Sequence, residues 1–259
     1  MSDPAISPLR LAVWQGQSPA GDAAAGIASL RSALMAAAAM QAEMLVAPEV
    51  WLPGYNQPDI SDQAQGATGP WIAELATLCR EAGCGLTLGF AERDGPTVYN
   101  AAIALGKSGE PLALYRKIQL YGGREKSIYA AGSAYRIFQL GPHKAALLIC
   151  YDIEFAPHVA ALAALGVTVI LVPTANMLPF THVVRHTVPA MAANYGVTIA
   201  YANYCGVEGD LSYVGGTLIA GPHGEVLAQA GDHAALLIAD VPARDPARLS
   251  TQDADLKIL

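Results

Sequence analysis

The chain has 259 residues, of which 53% are hydrophobic and 14% are charged, and its formal net charge is −7. This length and composition allow a large buried core and exclude an intrinsically disordered protein. The negative charge argues against a partner such as nucleic acid or an anionic membrane surface.

The sequence carries no features of a membrane or secreted protein. No apolar stretch reaches the roughly 20 residues that a membrane helix requires. The N-terminal residues contain no basic segment followed by an apolar one, so we expect no secretory signal. The four cysteines, Cys79, Cys84, Cys150 and Cys205, are then expected to be reduced thiols in a cytoplasmic protein.

The first half of the chain alternates apolar strands with helical segments and then continues in short strands. Gly83 and Gly85 end the second helix, and the sequences Asp-Gly-Pro and Lys-Ser-Gly-Glu are typical of turns between the later strands. The predicted elements are strands 9–14, 44–48, 86–91, 98–105 and 112–115, and helices 22–41 and 69–82.

The second half repeats this order. Its predicted elements are strands 145–149, 168–172 and 197–204, helices 156–165 and 181–195, and a hairpin turn at 221–224. Helices that alternate with strands ahead of antiparallel pairs indicate a mixed sheet in each half. The predicted fold is therefore α/β, with two mixed sheets packed face to face and helices outside, in a single domain over residues 1–259.

Three ionisable residues come after buried strands, where α/β folds place their ligands. They are Glu49, Lys117 and Cys150. A thiol needs a base at neutral pH, a glutamate can act as that base, and a lysine can stabilise an oxyanion. A helix that starts just after Cys150 would also favour its thiolate. Each residue alone is more typical of a solvated strand end or a small core side chain.

Three sequence blocks favour a catalytic role for these residues over a structural one. VAPEVWLPGYN, YRKIQLYGGREKSIYAAG and LLICYDIEF occur in this order, and with VILVPTANM and IAYANYCG they resemble the nitrilase superfamily of carbon–nitrogen hydrolases. The resemblance implies an αββα sandwich that forms at least a homodimer and needs no metal or cofactor. It also implies that Glu49 is the general base, that Cys150 is the nucleophile, and that Lys117 and the Tyr151 N–H stabilise the oxyanion.

Glu125, eight residues after Lys117, is a fourth candidate. Amidases that the chain resembles often place a second glutamate at this spacing, where it would position the amide or pair with Lys117. The alternative is a surface charge in a Gly-Gly-Arg-Glu-Lys loop. The pattern leaves both open.

The resemblance is greatest to the aliphatic and ω-amino amide hydrolases of the family, the 5-aminopentanamidase type, so a small-molecule amide is the expected substrate. Asp152 and Glu154 would add negative charge that attracts an amino group, although Asp152 can also cap the following helix. A nitrilase, an N-carbamoyl amine hydrolase and a non-catalytic binding protein remain as alternatives. Residues that follow the blocks are expected to line the substrate pocket: Tyr55, Tyr121, Tyr151, Asn176, Met177 and Phe180.

Two other patterns predict no site. His182 and His186 have the i, i+4 spacing of metal motifs but no further ligand, so a helix surface or interface is expected. Cys79 and Cys84 flank a helix end, and no second pair completes a zinc site. The sequence therefore predicts no metal.

Overall fold

The computed structural model describes residues 9–257. Most strands are short apolar runs, as buried strands require. In chain order they are β1 (Arg10–Gln17), β2 (Met44–Val46), β3 (Gly85–Asp94), β4 (Thr97–Leu105), β5 (Pro111–Arg116), β6 (Ile137–Leu140), β7 (His143–Leu147), β8 (Val169–Pro173), β9 (Thr198–Ala202), β10 (Tyr204–Cys205), β11 (Val207–Glu208), β12 (Leu211–Ser212), β13 (Leu218–Ala220), β14 (Val226–Gln229) and β15 (Ala235–Asp240).

Capping residues bound two of the long helices, and of these the stop at Gly83 was predicted. Asp22 caps the first helix by accepting from the Ala25 N–H, and Gly83 ends the third in a left-handed conformation. The α-helices are α1 (Ala23–Ala39), α2 (Ile60–Gln63), α3 (Pro70–Ala82), α4 (Gly122–Ile128), α5 (Ala156–Ala164), α6 (Val188–Tyr195) and α7 (Gln252–Asp255). A 3₁₀-helix covers Cys150–Glu154, and a π-helical turn covers Val183–Thr187 ahead of α6.

Two mixed sheets organise the fold. The first has the order β10-β1-β2-β3-β4-β5, with β15 antiparallel to β1, and the second has the order β14-β13-β9-β8-β7-β6. Alternate residues of β1 face two different hydrophobic cores. Leu11 and Val13 pack into a core shared with the second sheet, whereas Ala12 packs into a core shared with α1 and α3. Helices α5 and α6 pack on the shared core from the other side, which gives the predicted αββα layering.

The predicted elements are present with shifted ends, but the prediction that each half builds its own sheet is wrong. After β9 the chain leaves the second sheet, and β10 and β15 join the first sheet beside β1. The predicted strand 197–204 therefore spans two sheets. Asn203 lies between the two strands at this crossing, and its side chain donates to the carbonyl oxygens of Asn176 and Gly215.

Two expectations from the sequence extend beyond the described range. Residues 1–8, on which the expected lack of a secretory signal rests, lie outside it, and the single domain 1–259 stays a prediction. Among residues 9–257, no helix is both long and apolar enough to cross a membrane.

Candidate active site

Glu49 is placed by an unusually close approach between two backbone segments. It follows β2 and passes over Gly89 of β3, where a Cβ atom would lie 2.2 Å from the Val50 nitrogen. No larger residue fits there, because such a distance is far inside van der Waals contact. The Glu49 backbone is also fixed from the second half of the chain, since its carbonyl accepts from the Tyr204 hydroxyl at 2.7 Å.

Lys117 and Glu125 complete a buried cluster with Glu49. The Lys117 Nζ donates to Glu49 Oε1 at 2.7 Å and to Glu125 Oε1 at 2.8 Å, and all three side chains are at most 1% exposed. Glu125 also accepts from the Tyr55 hydroxyl at 2.7 Å and from the Tyr121 N–H at 2.8 Å. Glu125 is therefore not a surface charge, and the segment that carries it is helix α4 and not a loop.

Burial sets the electrostatics of this cluster. Burial raises the pKa of Glu49 to about 7, the Lys117 ammonium opposes this shift, and the Glu125 carboxylate adds to it. Burial alone would lower the pKa of Lys117, but the two carboxylates hold it above its ordinary value. Glu49 thus has the pKa of a base that works near neutral pH. Its Oε2 is buried and has no hydrogen-bond partner within residues 9–257.

Cys150 lies where β7 and its extension turn into the 3₁₀-helix. Its φ of 44° is a left-handed conformation that is rare for a residue with a side chain. A short helix does begin at Cys150, but the net shift of the thiol pKa is upward. Burial raises the pKa of the Cys150 thiol well above its usual range and Glu49 adds to this, against the opposing effect of Lys117. The thiol is therefore protonated at rest and needs a base.

Asp152 does not face the substrate cavity, which corrects the expectation that it would attract an amino group. It is fully buried, and its carboxylate accepts from the Ile149 N–H at 3.0 Å, the Gln119 N–H at 2.7 Å and the Tyr115 hydroxyl at 2.8 Å. The bond from Ile149 closes the turn around Cys150, and the other two connect this turn to residues on both sides of Lys117. Asp152 thus holds the conformation of Cys150.

Cys150 opens into a cavity of about 220 Å³. Every residue that the sequence predicts for the pocket lies on its wall, and their role in binding substrate stays a prediction. They are Tyr55, Tyr121, Tyr151, Asn176, Met177 and Phe180. Glu154, Ala175 and His182 also line it. Both His182 and His186 are exposed, and of the two His182 lines the cavity. Within residues 9–257, no group of three or more His, Cys, Asp or Glu side chains could hold a metal ion.

The sequence model of the family described as carbon-nitrogen hydrolase matches residues 10–248. The chain belongs to this family. The carbon–nitrogen hydrolase is 37% identical over 238 residues to a Pseudomonas protegens protein named hydrolase in pqqF 5′region, covering 90% of this chain and 82% of that one. It is 31% identical over 213 residues to an (R)-stereoselective amidase of Pseudomonas sp., covering 82% of this chain and 77% of the relative.

Solved structures share the fold of this carbon–nitrogen hydrolase. One is the amidase from Nesterenkonia sp. AN1, determined as a cysteine-to-alanine variant in complex with butyramide. It superposes with a TM-score of 0.87 at 33% identity, covering 93% of this chain and 94% of that structure. The predicted αββα fold and the nitrilase-superfamily resemblance are thereby confirmed.

Sequence reasoning missed two polar residues of the site and undervalued a third. Asn100 donates to Glu49 Oε1 at 2.7 Å, and its position as a buried amide within the apolar strand β4 was a usable signal. His182 lines the cavity, although its spacing predicted a helix surface or interface. Glu154 was considered only for its charge, yet it is the carboxylate of the cavity wall.

Proposed function

We propose that this carbon–nitrogen hydrolase is a cysteine-dependent amidase that converts short aliphatic or ω-amino carboxamides, of the 5-aminopentanamide type, to carboxylic acid and ammonia through an acyl-thioester. One observation carries the proposal: Cys150 opens into a largely apolar cavity and interacts electrostatically with the buried Glu49, Lys117 and Glu125. Such a cluster supplies a base, a cation and a nucleophile without solvent.

In the first half of the reaction, the carboxamide carbonyl lies beside the Cys150 sulfur. Glu49 accepts the thiol proton through its free Oε2, and the sulfur attacks the carbonyl carbon. The Lys117 ammonium and the Tyr151 N–H, which donates to no backbone group within residues 9–257, stabilise the oxyanion. When the C–N bond breaks, the nitrogen takes the proton from Glu49 and leaves as ammonia.

In the second half, Glu49 removes a proton from water as the water attacks the thioester carbonyl. The C–S bond breaks, the carboxylic acid leaves, and the proton returns to the Cys150 sulfur. Glu49 thus gives and takes one proton in each half, a task that suits a pKa of about 7. Glu125 positions Lys117 and does not touch the reacting atoms in this scheme, because its oxygens are occupied by Lys117, Tyr55 and Tyr121.

The size and lining of the cavity support small substrates. A space of about 220 Å³ with a largely apolar wall suits a short aliphatic chain. The similar Nesterenkonia amidase was solved with butyramide, a short aliphatic amide. We also propose that the protein forms at least a homodimer, which the family resemblance implies.

Ammonia release from a panel of compounds tests the proposed substrate class. The panel contains butyramide, hexanamide, 5-aminopentanamide, the matching nitriles and N-carbamoylputrescine. We expect kcat/KM to be highest for the amides. Faster turnover of the nitriles or of the carbamoyl amine would replace the amidase assignment by one of these activities, and no turnover of any compound would favour a binding protein.

A further inference from the structure

The active-site cavity combines an apolar aromatic wall with a single carboxylate. Glu154 is the one acidic residue among the described residues that line it, and it is partly buried there. A neutral aliphatic amide would use only the apolar wall and the catalytic groups near Cys150. The carboxylate therefore requires a separate explanation.

The rings of Tyr121, Tyr151 and Phe180 line the same cavity as Glu154. The Tyr121 ring lies edge to face against Tyr151, with centroids 5.3 Å apart, and against Phe180, with centroids 6.0 Å apart. Tyr151 in turn packs edge to face on Phe155 at 4.8 Å. This packing holds the rings in fixed orientations. The face of an aromatic ring attracts cations through its quadrupole.

Within residues 9–257, no side-chain hydrogen bond or salt bridge to the Glu154 carboxylate is found, and the charged groups that act on it are His182 and Lys117. Partial burial raises the pKa of Glu154, and the nearby His182 opposes this shift. A carboxylate that is partly removed from water without a partner is costly, and an ammonium group would offset that cost.

We propose that Glu154, together with the rings of Tyr121 and Tyr151, forms a subsite for a substrate ammonium group, so that the preferred substrates carry an amine at the end opposite the carboxamide. The inference rests on the proposed amidase function and names its specificity determinant. The carboxylate of this subsite, on Glu154, lies at the opposite end of the 3₁₀-helix from the nucleophile.

The helix also sets the distance between the two ends of such a substrate. Cys150 and Glu154 are the first and last residues of a five-residue 3₁₀-helix, and a rise of about 2.0 Å per residue separates them by roughly 8 Å along its axis. We therefore expect the preferred substrates to place several bonds between the carboxamide and the amine. We expect an α-amino amide to be too short to reach both groups.

Two pairs of amides that differ only in the terminal group test the proposal. 5-Aminopentanamide and hexanamide have the same length, and the former is cationic near neutral pH because a primary alkylamine has a pKa near 10. Glycinamide and propanamide form the short pair. kcat/KM is measured for all four with the wild type, Glu154→Gln, Glu154→Asp and the exposed control Glu74→Gln, and each variant is checked by thermal melting.

We expect the wild type to prefer 5-aminopentanamide over hexanamide, and Glu154→Gln to reduce this ratio about 10- to 100-fold, the value of one hydrogen bond to a charged group. The ratio for Glu154→Asp should lie between the ratios for the wild type and Glu154→Gln. The ratio for Glu74→Gln should equal that of the wild type. The glycinamide to propanamide ratio should change less than about threefold, since the short amine does not reach the subsite.

Equal changes in the long and short pairs would mean that Glu154 acts through its general field, and this would overturn the subsite. Equal losses for 5-aminopentanamide and hexanamide in a folded Glu154→Gln variant would also overturn it, by assigning Glu154 a structural role. A wild type that hydrolyses hexanamide without preferring the amine contradicts the subsite alone. A wild type that hydrolyses no amide contradicts the proposed function itself.

Discussion

Replacement of Lys117 by methionine is expected to destabilise the protein strongly, because it removes the one cation from a buried cluster. Lys117 Nζ is hydrogen-bonded to oxygens of both Glu49 and Glu125, at 2.7 and 2.8 Å. These two oxygens therefore lie no more than 5.5 Å apart, the sum of the two bonds. In the Lys117→Met variant, two buried carboxylates would face each other at that separation.

The size of the effect follows from Coulomb's law. Two unit charges 5.5 Å apart repel by about 3 kcal/mol at an effective dielectric constant of about 20. This agrees with the cost of roughly 3–5 kcal/mol for removing one partner of a buried ion pair. At about 2–4 °C per kcal/mol for a chain of this size, the melting temperature should fall by up to about 6–12 °C at pH 8, since proton uptake by Glu49 relieves part of the repulsion.

The loss of stability in Lys117→Met should depend on pH, and the direction follows from the pKa of Glu49. Burial and Glu125 already raise the pKa of Glu49 to about 7, and Lys117 opposes that rise. Without Lys117 the pKa rises further. A carboxyl group with a raised pKa in the folded state keeps its full contribution at low pH and loses it as the pH rises through that pKa. The variant should therefore lie closer to the wild type at pH 5.5 than at pH 8.

Thermal melting of the wild type, Lys117→Met and Lys107→Met at both pH values measures this effect. Lys107 is the matched control, since it pairs with Glu43 at 2.6 Å on the surface and its side chain is 47% exposed. Its replacement should cost at most about 1 kcal/mol. A Lys117→Met variant as stable as the control at pH 8, or a loss of equal size at pH 5.5 and pH 8, would refute this electrostatic argument.

Three further predictions concern the base, its support and the assembly. The kcat/KM for an amide should increase with pH through about 7, because Glu49 must be ionised to accept the thiol proton, and a flat profile between pH 6 and 8 would contradict this. Gly89→Ala should cost about 1–3 kcal/mol or more and reduce kcat, since its Cβ meets the Val50 nitrogen at 2.2 Å; Gly231→Ala, which meets nothing within 4 Å, is the control for both measurements. Light scattering after size-exclusion chromatography should give at least a dimer mass, and a monomer would contradict the proposed assembly.

The sequence was sufficient to predict the layers and the positions of Glu49 and Lys117, for a physical reason. Apolar strands bounded by glycine and proline turns have few alternative placements, and parallel strand ends meet at one edge of a sheet. The pairing of β10 and β15 with β1 could not be predicted, because short strands far apart in the chain carry no local signal of their partner.

The environment of each site residue was harder to predict than its position. Glu125 could be a surface charge or a buried partner of Lys117, and only the packing of α4 against the cluster decides this. Asp152 and Glu154 are two residues apart in one short helix. Asp152 nevertheless faces backbone N–H groups while Glu154 lines the cavity, a difference that periodicity in five residues cannot reveal.

The most direct test of the proposed mechanism is ammonia release by Cys150→Ala, with Cys205→Ala as a control at a buried cysteine that also ends a strand. Both variants are assayed on hexanamide at pH 8 after thermal melting establishes that each is folded. Cys150→Ala should lose at least about 10⁴-fold in kcat, as loss of a catalytic nucleophile does, while Cys205→Ala keeps its turnover. Ammonia release by folded Cys150→Ala at a rate comparable to the wild type would show that Cys150 is not the nucleophile.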